Sequence, residues 1–303
     1  MSFLNQDSRF LGLEDSQAGS DAQTVIVPVP YERTSSYGVG SARGPQAILQ
    51  ASQQVELRDV DLQAEPWALA GGIATREPLP VGGGRETLTG CDVSDMLQEL
   101  VASHLDQEQF VVTLGGEHTS IVGAARAHLR RWPEATILQL DAHSDLREQY
   151  LGDPWNHACA MSRILDRGGH LVQVGIRSES EEDFLNAQKH QAKTLTARSI
   201  HQLDRHGESW MDEVVSACQQ EVYITLDTDV FDPALVPDTG TPEPGGLTFE
   251  QYDRLLEKLC AERTVVGFDV SELAPVQHTS AFVMAKVVSR TIGRIHQVRS
   301  KQS

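Results

Sequence analysis

Three groups able to bind a metal ion occupy every second position of Asp141-Ala142-His143-Ser144-Asp145. In extended backbone, residues i, i+2 and i+4 face one side, so Asp141, His143 and Asp145 can converge on one point. Two carboxylates and an imidazole buried together without a cation would be costly, and a metal ion removes that cost. The alternative is a polar loop capping a helix. Further stretches weigh against it: Gly115-Gly116-Glu117-His118, Asp227-Thr228-Asp229 and Asp269-Val270-Ser271-Glu272. His118, Asp141, His143, Asp145, Asp227 and Asp229 together exceed what one tetrahedral zinc uses. They match a two-metal site whose carboxylates bridge ions ~3.5–4 Å apart and lower the pKa of a shared water. Oxygen-rich ligation without thiolate favours Mn²⁺ over zinc or copper.

Groups so far apart in the chain need a scaffold that gathers them. Short runs rich in β-formers predict strands over Thr24–Val29, Phe110–Leu114, Thr136–Leu140, Leu171–Val174, Val222–Leu226 and Thr264–Phe268. Between them lie amphipathic stretches: Ser94–Leu105, Thr248–Leu259 with a Thr-x-x-Gln capping box (Thr248, Gln251), and Ala281–Ile295. The alternation predicts a three-layer α/β/α fold with a mainly parallel central sheet. Ligands in such sheets sit beyond the carboxyl ends of the strands, where four of these runs end in acidic or imidazole groups.

The 303 residues carry no linker or internal repeat, so a single catalytic domain is expected over 23–303. Residues 1–22 are polar and aperiodic and read as a flexible arm. No secretory signal and no apolar run of ~18 residues is present, which excludes export by that route and a membrane-spanning helix. The four scattered cysteines (Cys91, Cys159, Cys218, Cys260) read as reduced thiols in a cytoplasmic protein. A net charge of −18 argues against nucleic acid as a partner and suits a cationic substrate, or serves only solubility.

The motifs carry a resemblance. Gly-Gly-Glu-His at 115–118, Asp-Ala-His-Ser-Asp at 141–145, Thr-Leu-Asp-Thr-Asp-Val-Phe-Asp-Pro at 225–233 and Thr-Gly-Thr-Pro-Glu-Pro-Gly-Gly at 239–246 resemble the arginase/agmatinase (ureohydrolase) family. So does the stretch from Val29-Pro30-Tyr31-Glu32 through Gly44-Pro45-Gln46-Ala47-Ile48, and the likeness spans about Val25 to Ile295. The resemblance implies two Mn²⁺ per subunit. His118, Asp141, Asp145 and Asp227 would hold one, and Asp141, His143, Asp227 and Asp229 the other. It further implies that a metal-bridging hydroxide attacks a guanidinium carbon, that Asp145 receives the proton and that His157 shuttles protons. Glu272 would pair with the guanidinium, and Thr241 would support Glu272 or the substrate. Homologues imply a homotrimer or homohexamer.

The family's arginases resemble this chain less where they bind the amino-acid head group. Asp153-Pro154-Trp155-Asn156 precedes His157, and Ser178-Glu179-Ser180 stands where arginases carry Asp-x-Asp. With Glu243 in the Thr-Pro-Glu-Pro-Gly-Gly turn, this points to agmatine, hydrolysed to putrescine and urea. Asp238 and the loop Val276-Gln277-His278 depart from the agmatinase pattern, leaving guanidinobutyrate and guanidinopropionate as alternatives. Those acids would want an Arg or Lys at the pocket mouth, and the sequence locates none. A one-zinc deacetylase chemistry would leave His118, Asp145 and Asp229 without a role. A non-catalytic metal-binding protein is the reading from another class.

Overall fold

Where aliphatic and β-branched residues cluster, the computed structural model, which describes residues 2–81, 88–207 and 209–302, forms strands. They are β1 Thr24–Val29, β2 Ile73–Thr75, β3 Phe110–Gly115, β4 Thr136–Leu140, β5 His170–Ile176, β6 Lys193–Thr196, β7 Glu221–Asp227 and β8 Thr264–Ser271. Among the described residues they build one parallel sheet, ordered β2-β1-β3-β8-β7-β4-β5-β6. Alternate side chains enter two separate cores, Leu138 and Leu140 of β4 on one face and Ile137 on the other. Helices Gly44–Ser52, Phe249–Glu262 and His278–Gln302 cover the first face. Helices Gly90–Leu105, Val122–Arg131 and Ala160–Leu165 cover the second. The architecture is the three-layer α/β/α sandwich expected.

The connection from β3 to β4 vaults two strand positions, and β8 and β7 fill the gap. The four strands with polar ends are therefore the four consecutive central ones, and their carboxyl ends share one edge. The edge strands β2 and β6 were not read from the sequence. β2 has three residues, and β6 buries only Leu195 fully, so neither shows a hydrophobic run.

The N-terminal arm requires a correction. Residues 2–22 are packed on the domain, with Phe10, Leu11 and Leu13 buried in the core beside Ile48 and Ile73. The Phe10 amide donates to Thr75 Oγ1 (3.0 Å) and that of Leu11 to Ser52 Oγ (2.8 Å). Leu11 and Gly12 both take φ near +60, so the apolar residues cluster without helical or strand periodicity. Met1 lies outside the described residues. Among them, no helix is long and apolar enough to cross a membrane.

Candidate metal centre

Each strand end presents its candidate ligand by a local backbone device. After β3 the chain enters a 3-10 turn, His118–Ile121, and His118 is fully buried. After β4 the loop doubles back, with the His143 amide donating to Asp141 Oδ1 (2.6 Å) and Asp145 at φ 52. At the end of β7, Asp227 Oδ1 caps the next turn by accepting from the Asp229 amide (2.9 Å). Asp229 Oδ1 accepts from the Ala142 amide (3.0 Å), locking the β7 end to the β4 end.

The six predicted ligands come together. His118 Nδ1 lies 3.1 Å from Asp145 Oδ2 and 3.3 Å from Asp141 Oδ2 and Asp227 Oδ2. His143 Nδ1 lies 2.9 Å from Asp229 Oδ2 and 3.8 Å from Asp141 Oδ1. Two candidate metal-holding groups result, His118 with Asp141 and Asp227, and His143 with Asp141 and Asp229, so Asp141 is common to both.

The donor set fits divalent cations on its own chemistry. Thr225 Oγ1 donates to Asp269 Oδ1 (2.9 Å), so its contact with His118 Nε2 (3.0 Å) is as acceptor, which places the imidazole proton on Nε2. The lone pair of Nδ1 then faces three carboxylates, and Nδ1 is buried with no hydrogen-bond partner. Lone pairs so opposed need a cation between them, a metal ion or a proton: against burial, Asp141, Asp145 and Asp227 raise the proton affinity of His118 well above its ordinary value. The proton affinities agree. Burial, then Asp229, pushes Asp141 up to about 7, and burial with Asp229 and Asp141 raises Asp227. Burial alone would lower His143, but Asp229 and Asp141 outweigh it and lift the ring to about 11. The cluster is short of positive charge.

Glu272, at φ 66 beyond β8, is tied by its amide to Gly116 O (2.7 Å). Its Oε1 accepts from the His118 amide (2.6 Å). Burial, and then Glu117, raises its proton affinity. His157 is held by Thr34, whose Oγ1 accepts from the His157 amide (2.9 Å), meets Nδ1 (3.1 Å) and donates to Glu117 Oε1 (3.0 Å). With the hydroxyl proton on Glu117, Nδ1–H donates and Nε2 remains a free base; burial lowers the ring's pKa from its ordinary value. Thr241 lines the same cleft but makes no bond to Glu272. The cleft encloses about 210 Å³, and Asp145, His157, Asp227 and Glu272 all line it.

Sequence reasoning passed over Glu117, Thr34 and Arg177. Glu117 stands inside the Gly-Gly-Glu-His motif, and its signal is an acid next to a candidate ligand; its full burial is visible only in the structure. Thr34 had none, because it meets its partners only after folding. Arg177 donates to the carbonyls of Asp229 (2.6 Å) and Glu243 (2.7 Å), clamping the Thr-Pro-Glu-Pro turn onto the ligand loop. The two departures from the agmatinase pattern prove to be one feature, which does not line the cleft: Asp238 Oδ2 accepts from the Gln277 amide (3.2 Å), and the Asp238 amide donates to Ser280 Oγ (3.3 Å). The cleft mouth holds Arg147, whose Nε is 3.4 Å from Asp183 Oδ2 and whose guanidinium stacks 4.5 Å over Tyr150.

Against this geometry stand the comparisons with known proteins. The profile of the Arginase family matches residues 22–293. An N(1)-aminopropylagmatine ureohydrolase of Synechocystis is 35% identical over 295 residues, 96% of this chain and 95% of that protein. An agmatinase of Pyrococcus horikoshii is 31% identical, covering 90% of this chain and 92% of its own. The crystal structure of an agmatine ureohydrolase of Thermoplasma volcanium superposes with a TM-score of 0.80 at 27% identity, covering 100% of this chain and 97% of that one.

Proposed function

Because the chain belongs to the arginase family of ureohydrolases, we propose that it uses two Mn²⁺ per subunit to hydrolyse a linear, cationic guanidino amine to urea and an amine. Agmatine, or agmatine extended by an aminopropyl group, is the substrate of this reading. The observation that carries it is the cluster of four carboxylates and two imidazoles, three of the carboxylates facing His118 Nδ1 and the fourth facing His143 Nδ1, which opens into the cleft that holds Glu272.

The ions, when bound, supply an activated water and neutralise the developing charge. The chain's own residues do the rest. Glu272, held at one oxygen by the His118 amide, offers the carboxylate to a planar guanidinium, whose N–H groups match paired oxygens. Asp145 lies beside His118 at the cleft floor, where it can accept a proton during attack. His157, with Nε2 left as the free nitrogen, can take up a proton released in the attack and pass it on to the departing amine. Glu117 and Thr34 hold it in that tautomer.

The acids around the cleft favour a cationic tail. The one specific observation for a guanidino acid is Arg147 at the mouth, whose charge is already met by Asp183. A urea-release screen with added Mn²⁺ decides: agmatine and N1-aminopropylagmatine should outrun arginine, guanidinobutyrate and guanidinopropionate. Asp141→Ala and Asp229→Ala should each lower the rate more than about 100-fold, beyond the loss typical of changes around the ligands. Urea from none of these compounds would sink the proposal, and a preference for the acids would move it to the second reading.

A further inference from the structure

Directly beneath the metal centre a row of polar side chains runs across six adjacent strands in register. Thr113 of β3 pairs with Asp269 of β8, Asp269 with Thr225 of β7, and Thr225 with Gln139 of β4. Gln139 then pairs with Gln173 of β5, and Gln173 with Thr194 of β6. Apart from Thr194, none is more than 1% exposed. Two residues back on β3, β7, β4 and β5, the same face carries Val111, Tyr223, Ile137 and Leu171, all in a hydrophobic core. Two residues forward on β4 and β7 stand Asp141 and Asp227. The row is thus one tier below the ligands, in a layer where aliphatic side chains would satisfy the fold.

Its hydrogen bonds run one way. Thr194 Oγ1 donates to Gln173 Oε1 (2.8 Å), and Gln173 Nε2 to Gln139 Oε1 (2.8 Å). Gln139 Nε2 donates to Asp141 Oδ2 (2.8 Å) and to the His143 carbonyl (3.0 Å). The second N–H of Gln173 reaches the Ser144 carbonyl (3.2 Å). Both amides are fully satisfied, and only this orientation works, since turning Gln139 over would put its oxygen against the Asp141 carboxylate. The donors end on the shared ligand Asp141 and on two carbonyls of its loop.

We propose that Gln139 and Gln173 are positioning residues for the metal centre: a buried amide relay, anchored at Thr194 on the edge strand, that aims Asp141 and holds the loop presenting His143. The inference rests on the two-metal reading above. Leucine at both positions removes both partners of the Gln173–Gln139 bond, which by itself is close to neutral for stability, but takes the donors from Asp141 Oδ2 and from the His143 and Ser144 carbonyls. A merely structural relay would therefore show its loss in the melt alone, whereas a relay that orients ligands shows it in the metal affinity of the folded protein.

The test is Gln139→Leu/Gln173→Leu, with Thr194→Val as a milder break at the half-buried outer end. Melting temperature is measured without metal, and Mn²⁺ alone is titrated calorimetrically. We expect the double variant to fold and melt cooperatively below wild type, since buried acceptors lose their donors, while at least one Mn²⁺ binds about 10- to 100-fold more weakly. Its kcat for urea release should fall at unchanged KM, and Thr194→Val should show a smaller loss of the same kind. Wild-type Mn²⁺ affinities in the folded double variant would overturn the inference and leave the proposed activity intact. Should the double variant not fold, unchanged affinity in Thr194→Val overturns it instead. A wild-type chain that binds no Mn²⁺ would remove the two-metal reading and the inference with it.

Discussion

Asp145 and Glu272 share an uncommon property: neither is glycine, yet both have φ between 50 and 70. Such backbone costs on the order of 1 kcal/mol and persists where surrounding contacts over-determine it. Both sit just past a strand, and both line the cleft. The turn brings Glu272 back under the His118 amide, so the residue proposed to hold the guanidinium is tied to one proposed to hold the metal. Glu272→Gln keeps the size and removes the charge. We expect KM for the guanidino substrate to rise and kcat/KM to fall about 10- to 100-fold, the worth of a charged hydrogen bond. Steady-state kinetics checks this, and an unchanged kcat/KM would remove Glu272 from substrate binding.

At the scale of elements, strand ends and helix starts were readable to different degrees. The capping box Thr248/Gln251 forms as its spacing predicts, the Thr248 hydroxyl accepting from the Gln251 amide (3.2 Å). Thr248→Ala should cost about 1 kcal/mol and lower the melting temperature by about 2–4 °C; a melt of the two proteins side by side tests it. The helix expected from Ser94 begins instead at Gly90, because Thr89 and Asp92 form a capping box that apolar periodicity does not reveal. Between β3 and its ligand, Gly116 is forced by packing: a Cβ there would lie 2.1 Å from the Tyr31 carbonyl. The end of β3 is thereby pressed against the loop after β1, close to Thr34.

Across the whole molecule, a set of ion pairs joins the segment at 59–61 to the C-terminal helix. Asp59 Oδ2 accepts from Lys286 Nζ and Arg290 Nε, both at 2.8 Å, and Arg290 also reaches Asp61 (2.7 Å) and Asp253 (2.9 Å). Burial alone would raise the Asp59 carboxyl, but Lys286 and Arg290 overcome it and hold the group down at about 2. With an unfolded value near 3.8, its stabilisation is complete above that pH and vanishes as pH falls through about 2. Asp59→Ala removes one of the three carboxylates that meet the buried Arg290 guanidinium and should cost about 2 kcal/mol at neutral pH, the worth of a charged hydrogen bond. Melting curves of wild type and variant from pH 7 to pH 2 should converge at the acid end. A gap constant with pH would show that Asp59 acts through packing alone.

What the sequence determined by itself was whatever is encoded over a few neighbouring residues. Six of the eight strands in the described residues, the layering, the family and all six candidate ligands follow from short runs and spacings, because a parallel sheet places every strand's carboxyl end at one edge. What only the tertiary structure decided depends on partners distant in the chain. Phe10 and Leu13 look like a polar arm's stray apolar residues until Ile48 and Ile73 close over them. Thr34 acquires its place only against His157, 123 residues on. Gln139 and Gln173 read as interruptions of two hydrophobic strands until register sets them side by side beneath Asp141. The physical reason is common to all of these: an interior side chain is stable only with matching partners, apolar against apolar and polar against polar, and those partners are a property of the fold.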